Sequence, residues 1–302
     1  MDVKIYPRAV SGVFAKKRMM LVLATQAIFY GLPWINWNHR QAVLCDFATY
    51  KFYLFGIVLW PQDLIYFAIL ILMLVMFLLL TSANFGRIFC GFACPEVVYS
   101  EIFFLIERVI EGDWLVRKRL DCLPWVGSFT KWRIKSLKYF AWIMIALWTG
   151  FTFTGYLSPI RQLVISALEF QMNEWELLCF GLYTLMTFCN AGFLREKICK
   201  YICPYSRFQS VTMGRETKIV FYDGRRGEPR GGRSKKADRL SMALGDCVDC
   251  GVCVQVCQMG VDIRNGFQYM CIDCGACIDA CNQVMKKMGY SSGLIRYARE
   301  NK

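Results

Sequence analysis

The sequence predicts a mainly α-helical membrane protein, in which four transmembrane helices are followed by a small cysteine-rich module of mixed α and β structure. Of its 302 residues, 56% are hydrophobic and the mean hydropathy is positive, which is too apolar for an ordinary soluble protein of this length. Four apolar stretches are long enough to cross a bilayer, and eight of the 16 cysteines fall between Cys247 and Cys281.

The first apolar stretch runs from Met19 to Ile35 and follows a basic N-terminal segment, residues 1–18, expected in the cytosol. No small-residue cleavage site follows it, so we interpret it as an uncleaved first span. Further spans are predicted from Leu64 to Thr81, from Tyr139 to Tyr156 and from Trp175 to about Phe193, so that residues 19–193 form a four-helix membrane domain.

Lysine and arginine residues predict the orientation of these spans. The segment from Ser82 to Lys138 carries nine of them, whereas the segment from Ser158 to Glu174 carries only Arg161. Because loops rich in these residues stay on the cytosolic side, both termini are expected in the cytosol. The net charge of +13 comes from cations beside the apolar spans, which favours contact with anionic membrane lipid, and no nucleic-acid partner is expected.

Two segments between the spans are predicted to lie along the membrane surface. The apolar run FYLFGIVLW, in the external loop from Asn36 to Asp63, is too short to cross a bilayer, so we expect it in the interface with Trp60 as an anchor. Residues 96–113 repeat apolar side chains with helical periodicity, which predicts an amphipathic helix on the cytosolic face. The alternative is a helix packed only on other parts of the protein.

The chain after the fourth span divides into four parts. Residues 194–222 contain a cysteine motif and end in a β-like run, TKIVFY. Residues 223–245 are predicted to form a glycine-rich linker, with seven cations from Arg225 to Arg239. The cysteine-rich module occupies residues 246–290, and residues 291–302 form a C-terminal tail.

Two runs in this module, CVDCGVCVQVC and CIDCGACIDAC, separate successive cysteines by two, two and three residues. This is the bacterial ferredoxin run, in which three thiolates hold one cluster and the fourth reaches the other, so we predict a bacterial-type two-cluster ferredoxin. Gly251 and Gly275 let each loop curl around its cluster. The predicted ligands are Cys247, Cys250, Cys253 and Cys281 for one 4Fe-4S cluster, and Cys271, Cys274, Cys277 and Cys257 for the other.

Other cofactors fit this pattern less well. Structural zinc sites use two separated pairs of ligands rather than a run of three plus one. His39 is the single histidine, which excludes a bis-histidine haem, and no haem is expected. Gln258 and Asn282 follow the fourth cysteines where the usual run has proline, so the loop exits are not fixed by a proline ring. Because clusters assemble only where thiols stay reduced, the module is expected in the cytosol.

A second cysteine motif is duplicated, as GRIFCGFACP from Gly86 to Pro95 and REKICKYICP from Arg195 to Pro204, 109 residues apart. Each copy follows the predicted cytosolic end of a span, and its proline suits the first turn of a following helix. The thiols are expected to converge on one site or to act as two pairs; they are Cys90, Cys94, Cys199 and Cys203. A third iron–sulfur cluster, a Cu(I) site and a redox-active dithiol all suit them, and packing as small hydrophobic side chains is the alternative.

The remaining cysteines carry weaker predictions. Cys179 and Cys189 lie within the fourth span and are interpreted as packing residues, and Cys122 is a loop residue without an assigned purpose. His39 and Cys45 share the external loop, but two candidates are thin support for a copper site.

Several stretches together resemble the cytochrome c oxidase accessory protein family of the CcoG or FixG type, in the same order along nearly the whole chain. They are WPQDLIYFAILI, GRIFCGFACPEVVYSEIFFLIERVIEGD, LWTGFTFTGY, REKICKYICPYSRFQSVTM, YDGRRGEPRG and LGDCVDCGVCVQVC. The resemblance implies an iron–sulfur protein of the bacterial cytoplasmic membrane that serves assembly of the cbb-type oxidase and reduces Cu(II) to Cu(I). Members usually continue into another span and a β-sandwich domain beyond the position of Lys302, so a truncated chain or a short variant is expected.

Three functional hypotheses follow. The first is electron transfer through the clusters to copper ions at the duplicated motif. The second is a quinol dehydrogenase subunit of the nitrate-reductase maturation type, and the third is a non-catalytic assembly scaffold. The partners expected are membrane lipid, a cytosolic or quinol electron donor, copper ions, and oxidase assembly factors or subunits.

Overall fold

The structure is a computed structural model that describes residues 5–38, 40–46, 51–60, 64–124, 129–214, 216–234 and 243–299. Five long helices form the body of the part that precedes the cysteine-rich module. They are α1 (Val13–Gly31), α2 (Leu64–Phe85), α4 (Pro95–Glu111), α6 (Phe129–Thr154) and α8 (Glu174–Cys189). The shorter helices are α3 (Ile88–Phe92), α5 (Trp114–Cys122), α7 (Ile160–Leu168), α9 (Pro204–Thr212), α10 (Gly224–Gly227), α11 (Val252–Gln255) and α12 (Ala276–Met288).

Local sequence signals explain where the long helices begin and end. Helix α4 begins at Pro95, where a missing N–H costs nothing, and stops before Gly112, which has a φ of 89°. Helix α8 begins with a reciprocal capping box between Asn173 and Glu176. After α8 the chain forms two π-helical turns, Asn190–Leu194 and Ile198–Ile202, so the second cysteine motif lies in irregular helix.

Aromatic side chains form the core between α4, α6 and α8. Trp142 stacks on Phe103 with ring centroids 5.0 Å apart, and both side chains are buried. Helices α6 and α8 approach closely at Gly150, where a β-carbon would come within 2.2 Å of Thr184 Oγ1. A small residue at this point allows the two backbones to touch, as is common between membrane helices.

Within the described ranges, three helical segments are long and apolar enough to cross a membrane: Ile65–Phe85, Ile88–Glu111 and Glu174–Leu194. The predicted count of four spans is therefore not confirmed. Helices α1 and α6 overlap the predicted first and third spans, but both begin and end earlier than predicted and take in cations such as Lys17 and Lys135. Residues 96–111 of the predicted surface helix fall in one of the three apolar segments, and their buried face packs on α6 and on the turn after α8.

The described residues of the loop between α1 and α2 form short β-strands. Strands β1 (Asn36–Trp37) and β2 (Arg40–Gln41) pair, and β3 (Val43–Asp46), β4 (Lys51–Leu54) and β5 (Ile57–Leu59) form an antiparallel sheet. The run predicted to lie in the interface is thus a hairpin of β4 and β5. The ammonium group of Lys51 lies 4.4 Å from the centre of the Trp60 ring, which holds that side chain against the hairpin.

The cysteine-rich module extends beyond its predicted limits on both sides. Strand β6 (Ile219–Tyr222) pairs antiparallel with β7 (Ile295–Ala298), so part of the predicted tail closes the module. Residues 223–234 of the predicted linker also pack on it: Asp246 N–H donates to Arg226 O at 2.9 Å, and Gly245 N–H donates to Pro229 O at 2.9 Å. Residues 235–242 lie outside the described ranges.

Buried ion pairs join the membrane helices at the end where the module lies. Glu107 of α4 accepts from Arg117 at 3.0 Å and from Arg195 at 2.8 Å, and Glu111 lies 2.8 Å from Lys135 and 2.9 Å from Lys138. These carboxylates are 5–6% exposed, so each needs its cations to offset the cost of leaving water. The cluster locks α4 to α5, α6 and the segment that carries the second cysteine motif.

Candidate redox centre

The two ferredoxin runs fold as loops followed by short helices, with α11 after Gly251 and α12 after Gly275. These glycines have φ values of 64° and 74°, a left-handed conformation that a side chain would strain. Each loop turns back on itself there, which brings the first three cysteines of its run to one side. The pattern CxDCGxC therefore produces the same backbone shape twice.

One apolar cavity contains the first set of thiols. Cys247, Cys250 and Cys253 from the first loop line it together with Cys281, which comes from α12 at the end of the second run. Val284, Met285, Leu294 and Ile295 supply its apolar wall. Burial raises the pKa of the Cys253 thiol to about 11 and that of Cys281 to about 12, so these sulfurs are protonated near neutrality unless a cation holds them as thiolates.

The second set of thiols lies deeper in the protein. The Cys257 thiol interacts electrostatically with Cys274, and Cys277 interacts with Cys271, Cys274 and Cys257. Burial raises the pKa of Cys271 and Cys277 well above the ordinary thiol value, with the Asp273 carboxylate adding to the effect at Cys271. The last cysteine of each run thus lies with the first three cysteines of the other run.

Four thiols around an apolar cavity suit a 4Fe-4S cluster, because its iron supplies the positive charge that buried thiolates require. All 16 cysteines are free thiols in the described residues, so the sulfurs remain available. Within the described ranges, no three Cys, His, Asp or Glu side chains are set around a single metal-ion position.

The duplicated motif places its four thiols near one another beside the module, although no three of them surround a single metal-ion position in the part of the chain that the structure describes. Cys90 interacts electrostatically with Cys94 and Cys203, and Cys199 interacts with Cys94, Cys90 and Cys203. The prolines after Cys94 and Cys203 open α4 and α9, as predicted for a residue in the first helical turn. Burial raises the pKa of the Cys199 thiol to about 12.

A buried hydrogen-bond chain links the first copy of this motif to the helix that follows the second copy. Cys90 Sγ donates to Gln209 Oε1 of α9 at 3.4 Å, and Gln209 Nε2 donates to Ser82 Oγ at 3.0 Å. Ser82 Oγ in turn lies 2.8 Å from the Tyr205 hydroxyl. The end of α2, the first motif and the helix after the second motif are therefore joined by polar contacts that the sequence did not predict.

The second ferredoxin loop packs directly on the first copy of the motif. A β-carbon on Gly91 would lie 2.4 Å from Ile272 O and 3.1 Å from the Cys274 α-carbon, so only glycine permits this approach. Cys90 and Cys94 pack with Ile272 and Cys274 in one buried cluster. The backbone N–H of Arg87 also donates to Asp273 Oδ2 at 2.9 Å. These contacts place the deeper ferredoxin thiols beside the thiols of the duplicated motif.

Asp273 is a site residue that was missed from the sequence. Its carboxylate is buried and accepts from the backbone N–H groups of Arg87 and Val220, which ties the module to the membrane part. Burial raises the pKa of Asp273. Comparison of the two runs gave a signal, since Asp249 and Asp273 occupy the same position, but it could not tell which aspartate is buried.

The other predicted candidates lie apart from these thiols. Cys45 is in β3, Cys122 is exposed at the end of α5, and Cys179 and Cys189 are partly buried on α8. His39 lies outside the described residues.

Two family models match the chain: a 4Fe-4S dicluster domain over residues 194–300, and a 4Fe-4S binding domain over residues 67–119. The nitrogen fixation protein FixG of Rhizobium meliloti is 40% identical over 300 residues, which cover 98% of this chain and 57% of FixG. The proteins RdxB and RdxA of Cereibacter sphaeroides are each 39% identical over 298 residues, which cover 97% of this chain and 62% of each relative. No solved structure is significantly similar to this one.

The paired thiol sets, the apolar helices and these matches define an iron–sulfur electron-transfer protein of a membrane. The chain spans less than two thirds of the length of the curated relatives it matches. It belongs to the FixG-type membrane polyferredoxins.

Proposed function

We propose that this chain transfers electrons at the cytosolic face of a bacterial inner membrane and delivers them to Cu(II), which is reduced to Cu(I). Both termini and the ferredoxin module lie in the cytosol. The first 4Fe-4S cluster, here called cluster 1, is held by Cys247, Cys250, Cys253 and Cys281. Cluster 2 is held by Cys257, Cys271, Cys274 and Cys277. The thiols of the duplicated motif form the site where the metal substrate meets the electron.

The observation that carries this proposal is the contact between the second ferredoxin loop and α3. Ile272 and Cys274 touch Gly91, Cys90 and Cys94, so the deeper ferredoxin thiols and the motif thiols share one buried cluster of side chains. Cys250 of the other loop is exposed, whereas none of the four thiols of the second set is exposed. Electrons therefore enter the module at the exposed first loop, near Cys250, and leave it at the second loop, beside α3.

The chemistry at the motif suits copper as substrate. A bound 4Fe-4S cluster supplies one electron at a time. One electron converts one Cu(II) ion to Cu(I), and thiolates prefer the softer Cu(I) once it has formed. Gln209 and the helices that begin at Pro95 and Pro204 hold the thiols in place while the metal ion binds and leaves.

This function is tested with the anaerobically purified full chain, reduced and then freed of reductant. Mixed with Cu(II) and a chelator that traps Cu(I), the protein is expected to yield about two Cu(I) ions per chain, one for each cluster. A failure to form any Cu(I) while the clusters stay intact would overturn the proposal.

A double substitution in the duplicated motif tests whether electrons leave the protein there, without removing the ferredoxin clusters. Cys90→Ser with Cys94→Ser is expected to slow Cu(I) formation at least tenfold while the ferredoxin iron and sulfide are retained, and Cys179→Ser on α8 serves as the control with an unchanged rate. If the double variant reduces Cu(II) as fast as the wild type, the motif is not the exit site. Iron and sulfide quantification on the same variant decides whether the motif holds a third cluster.

Assembly of the cbb-type cytochrome c oxidase is the process we propose for this copper chemistry, because the chain resembles accessory proteins of that oxidase. Oxidase subunits or assembly factors would then receive the Cu(I). Deletion of the gene is expected to lower oxidase activity, with rescue by added copper. Full oxidase activity in the deletion strain at low copper would remove this assignment.

A second candidate function is quinol oxidation, and one group of side chains favours it. The Tyr30 hydroxyl lies 2.9 Å from Thr149 Oγ1, and the buried Tyr99 side chain lies near Gln26 and Thr149, between α1, α4 and α6. Gln26 Oε1 is buried without a hydrogen-bond partner among the described residues. Such a polar group between membrane helices suits a quinol head group. Rapid cluster reduction by a quinol analogue, lost in Tyr99→Phe, would support this function over copper reduction.

A further inference from the structure

Helix α1 reaches the ferredoxin module through its N-terminal turns. The backbone N–H of Ala15 donates to Asp279 Oδ2 of α12 at 2.8 Å, and Phe14 would contact any side chain placed at Gly275. Arg18 lies one turn further along α1 on the same side and is only 8% exposed. A cation is thus buried between the membrane helices and the loop that carries Cys271, Cys274 and Cys277.

Two further side chains fix the position of Arg18. Its Nη2 donates to Glu101 Oε1 of α4 at 2.9 Å, and the side chains of this pair are 9% and 15% exposed. The other carboxylate oxygen of Glu101 accepts a hydrogen bond from the Gln258 side chain. Gln258 follows Cys257 directly, at the position where the usual ferredoxin run has proline. The departure from the usual run therefore supplies a polar contact that holds the Arg18 counter-ion.

A second donor group of Arg18 lies near the second ferredoxin loop. Its Nη1 is buried with no hydrogen-bond partner among the described residues. Arg18 lines one cavity with Gln258 and Ala276, which follow Cys257 and precede Cys277 in the chain, and it interacts electrostatically with Cys274. A buried donor without an oxygen acceptor is costly, and a bound cluster with its thiolate sulfurs would remove that cost. The unpaired, buried donor of Arg18 is therefore consistent with a cluster bound beside it.

We propose that Arg18 is a positioning residue that sets the reduction potential of cluster 2, with Glu101 as its counter-ion. This inference rests on the ligand assignment in the proposed function. Reduction adds one negative charge to the cluster, and a buried cation beside a ligand sulfur stabilises that charge because little water is present to screen it. Arg18 therefore makes cluster 2 easier to reduce, which favours electron flow from the exposed cluster 1 inward.

The two members of the ion pair should shift the potential in opposite directions. Arg18→Gln removes the cation and leaves the Glu101 carboxylate facing the loop, so cluster 2 becomes harder to reduce. Glu101→Gln removes the anion and leaves the cation, so cluster 2 becomes easier to reduce. A merely structural role predicts no such opposition, because loosening the contact in either variant exposes the same loop to water.

The experiment is a redox titration of the full chain followed by electron paramagnetic resonance. Cys281→Ser, which lacks a ligand of cluster 1, identifies the cluster 2 signal. The potential of cluster 2 is expected to fall in Arg18→Gln and to rise in Glu101→Gln, while that of cluster 1 stays unchanged. Lys17→Gln removes an exposed cation from the neighbouring position and is expected to leave both potentials unchanged.

Equal potentials in all variants, or shifts in the same direction for Arg18→Gln and Glu101→Gln, would overturn the inference. If Arg18→Gln loses its cluster, Arg18→Lys decides, since a retained cluster 2 with a potential near that of the wild type is expected and a potential far from it contradicts the role of charge. Iron content separates this outcome from the proposed function. A wild type without two clusters overturns the ligand assignment itself, whereas intact clusters with unmoved potentials overturn only the role of Arg18.

Discussion

Single residues determine which contacts the two similar ferredoxin loops form with the rest of the protein. Asp249 and Asp273 occupy the same position in the two runs, and both have a φ of 50°. Asp249 forms an ion pair with Arg264 at the surface, whereas Asp273 is buried and accepts from Arg87 of the membrane part. The same residue in the same backbone shape therefore stabilises a loop in one repeat and docks the module in the other.

The crossed wiring of the clusters is tested at the residue scale. Cys281→Ser is expected to lose about four iron atoms per chain and the signal of cluster 1, although Cys281 belongs to the second run. Cys257→Ser is expected to lose the signal of cluster 2. Iron analysis and electron paramagnetic resonance measure both. Loss of cluster 2 in Cys281→Ser would contradict the geometry of the cavity.

Buried charge at Glu107 gives a second prediction at this scale. Glu107→Gln leaves Arg117, Arg195 and Lys138 with one carboxylate fewer in a buried site, so the free energy of unfolding is expected to fall by about 3 kcal/mol. Thermal unfolding in detergent measures the change. Glu169→Gln, at an exposed position after α7, is the matched control and should melt within a degree or so of the wild type.

At the scale of elements, the contact between α3 and the second ferredoxin loop depends on Gly91, which has no side chain to separate the two backbones. Helix α3 presents Gly91 to the Ile272 carbonyl, and the short helix is held from behind by the Cys90 contact with Gln209. Backbone packs on backbone here, so there is no flexible side chain to absorb an added atom. The close approach of the loop to α3 therefore depends on a residue without a side chain.

Gly91→Ala is expected to push the loop away from α3 at a cost of about 1–3 kcal/mol. Hydrogen–deuterium exchange of the segment around Ile272–Gly275 should speed up, and electron transfer to Cu(II) should slow. Gly181→Ala on α8 is the control, because nothing lies within 4 Å of its added β-carbon. Unchanged exchange in Gly91→Ala would show that the docking tolerates a methyl group.

At the scale of the whole molecule, the two thiol sets differ in their access to water. The first set includes the exposed Cys250 and lies under the basic segment around Arg226 and Arg233. The second set lies between α1, α3 and the chain before α12. One thiol set is therefore partly open to solvent, whereas the other faces the long helices.

A soluble paramagnetic relaxing agent tests this asymmetry. The agent is expected to speed the relaxation of cluster 1 more than that of cluster 2, because an approaching ion reaches the Cys250 side of the module first. Power saturation of the two resonance signals measures the effect in the intact protein. Equal relaxation of both clusters would contradict the burial of the second set.

The sequence determined the cluster-type cysteine runs, the long apolar helices and the duplicated motif. These depend on local spacing, since three thiolates around one cluster need a tight loop, and an apolar run of helical length needs a bilayer or a core. The strand at Ile219–Tyr222 was also visible as a β-like run. Its partner Ile295–Ala298 was not, because pairing over more than seventy residues leaves no local trace.

Only the tertiary structure decided which parts meet. Glu101 and Gln258 are 157 residues apart, and Arg87 and Asp273 are 186 residues apart, yet both pairs join the module to the membrane helices. From sequence alone, a charged or amide side chain is expected to be exposed to solvent. Its partner depends on tertiary packing and cannot be inferred from the spacing of residues along the chain. The sequence by itself therefore determined which cysteines can bind iron–sulfur clusters. Only the fold determined that the second thiol set lies beside Cys90 and Cys94, because that proximity depends on contacts between distant parts of the chain.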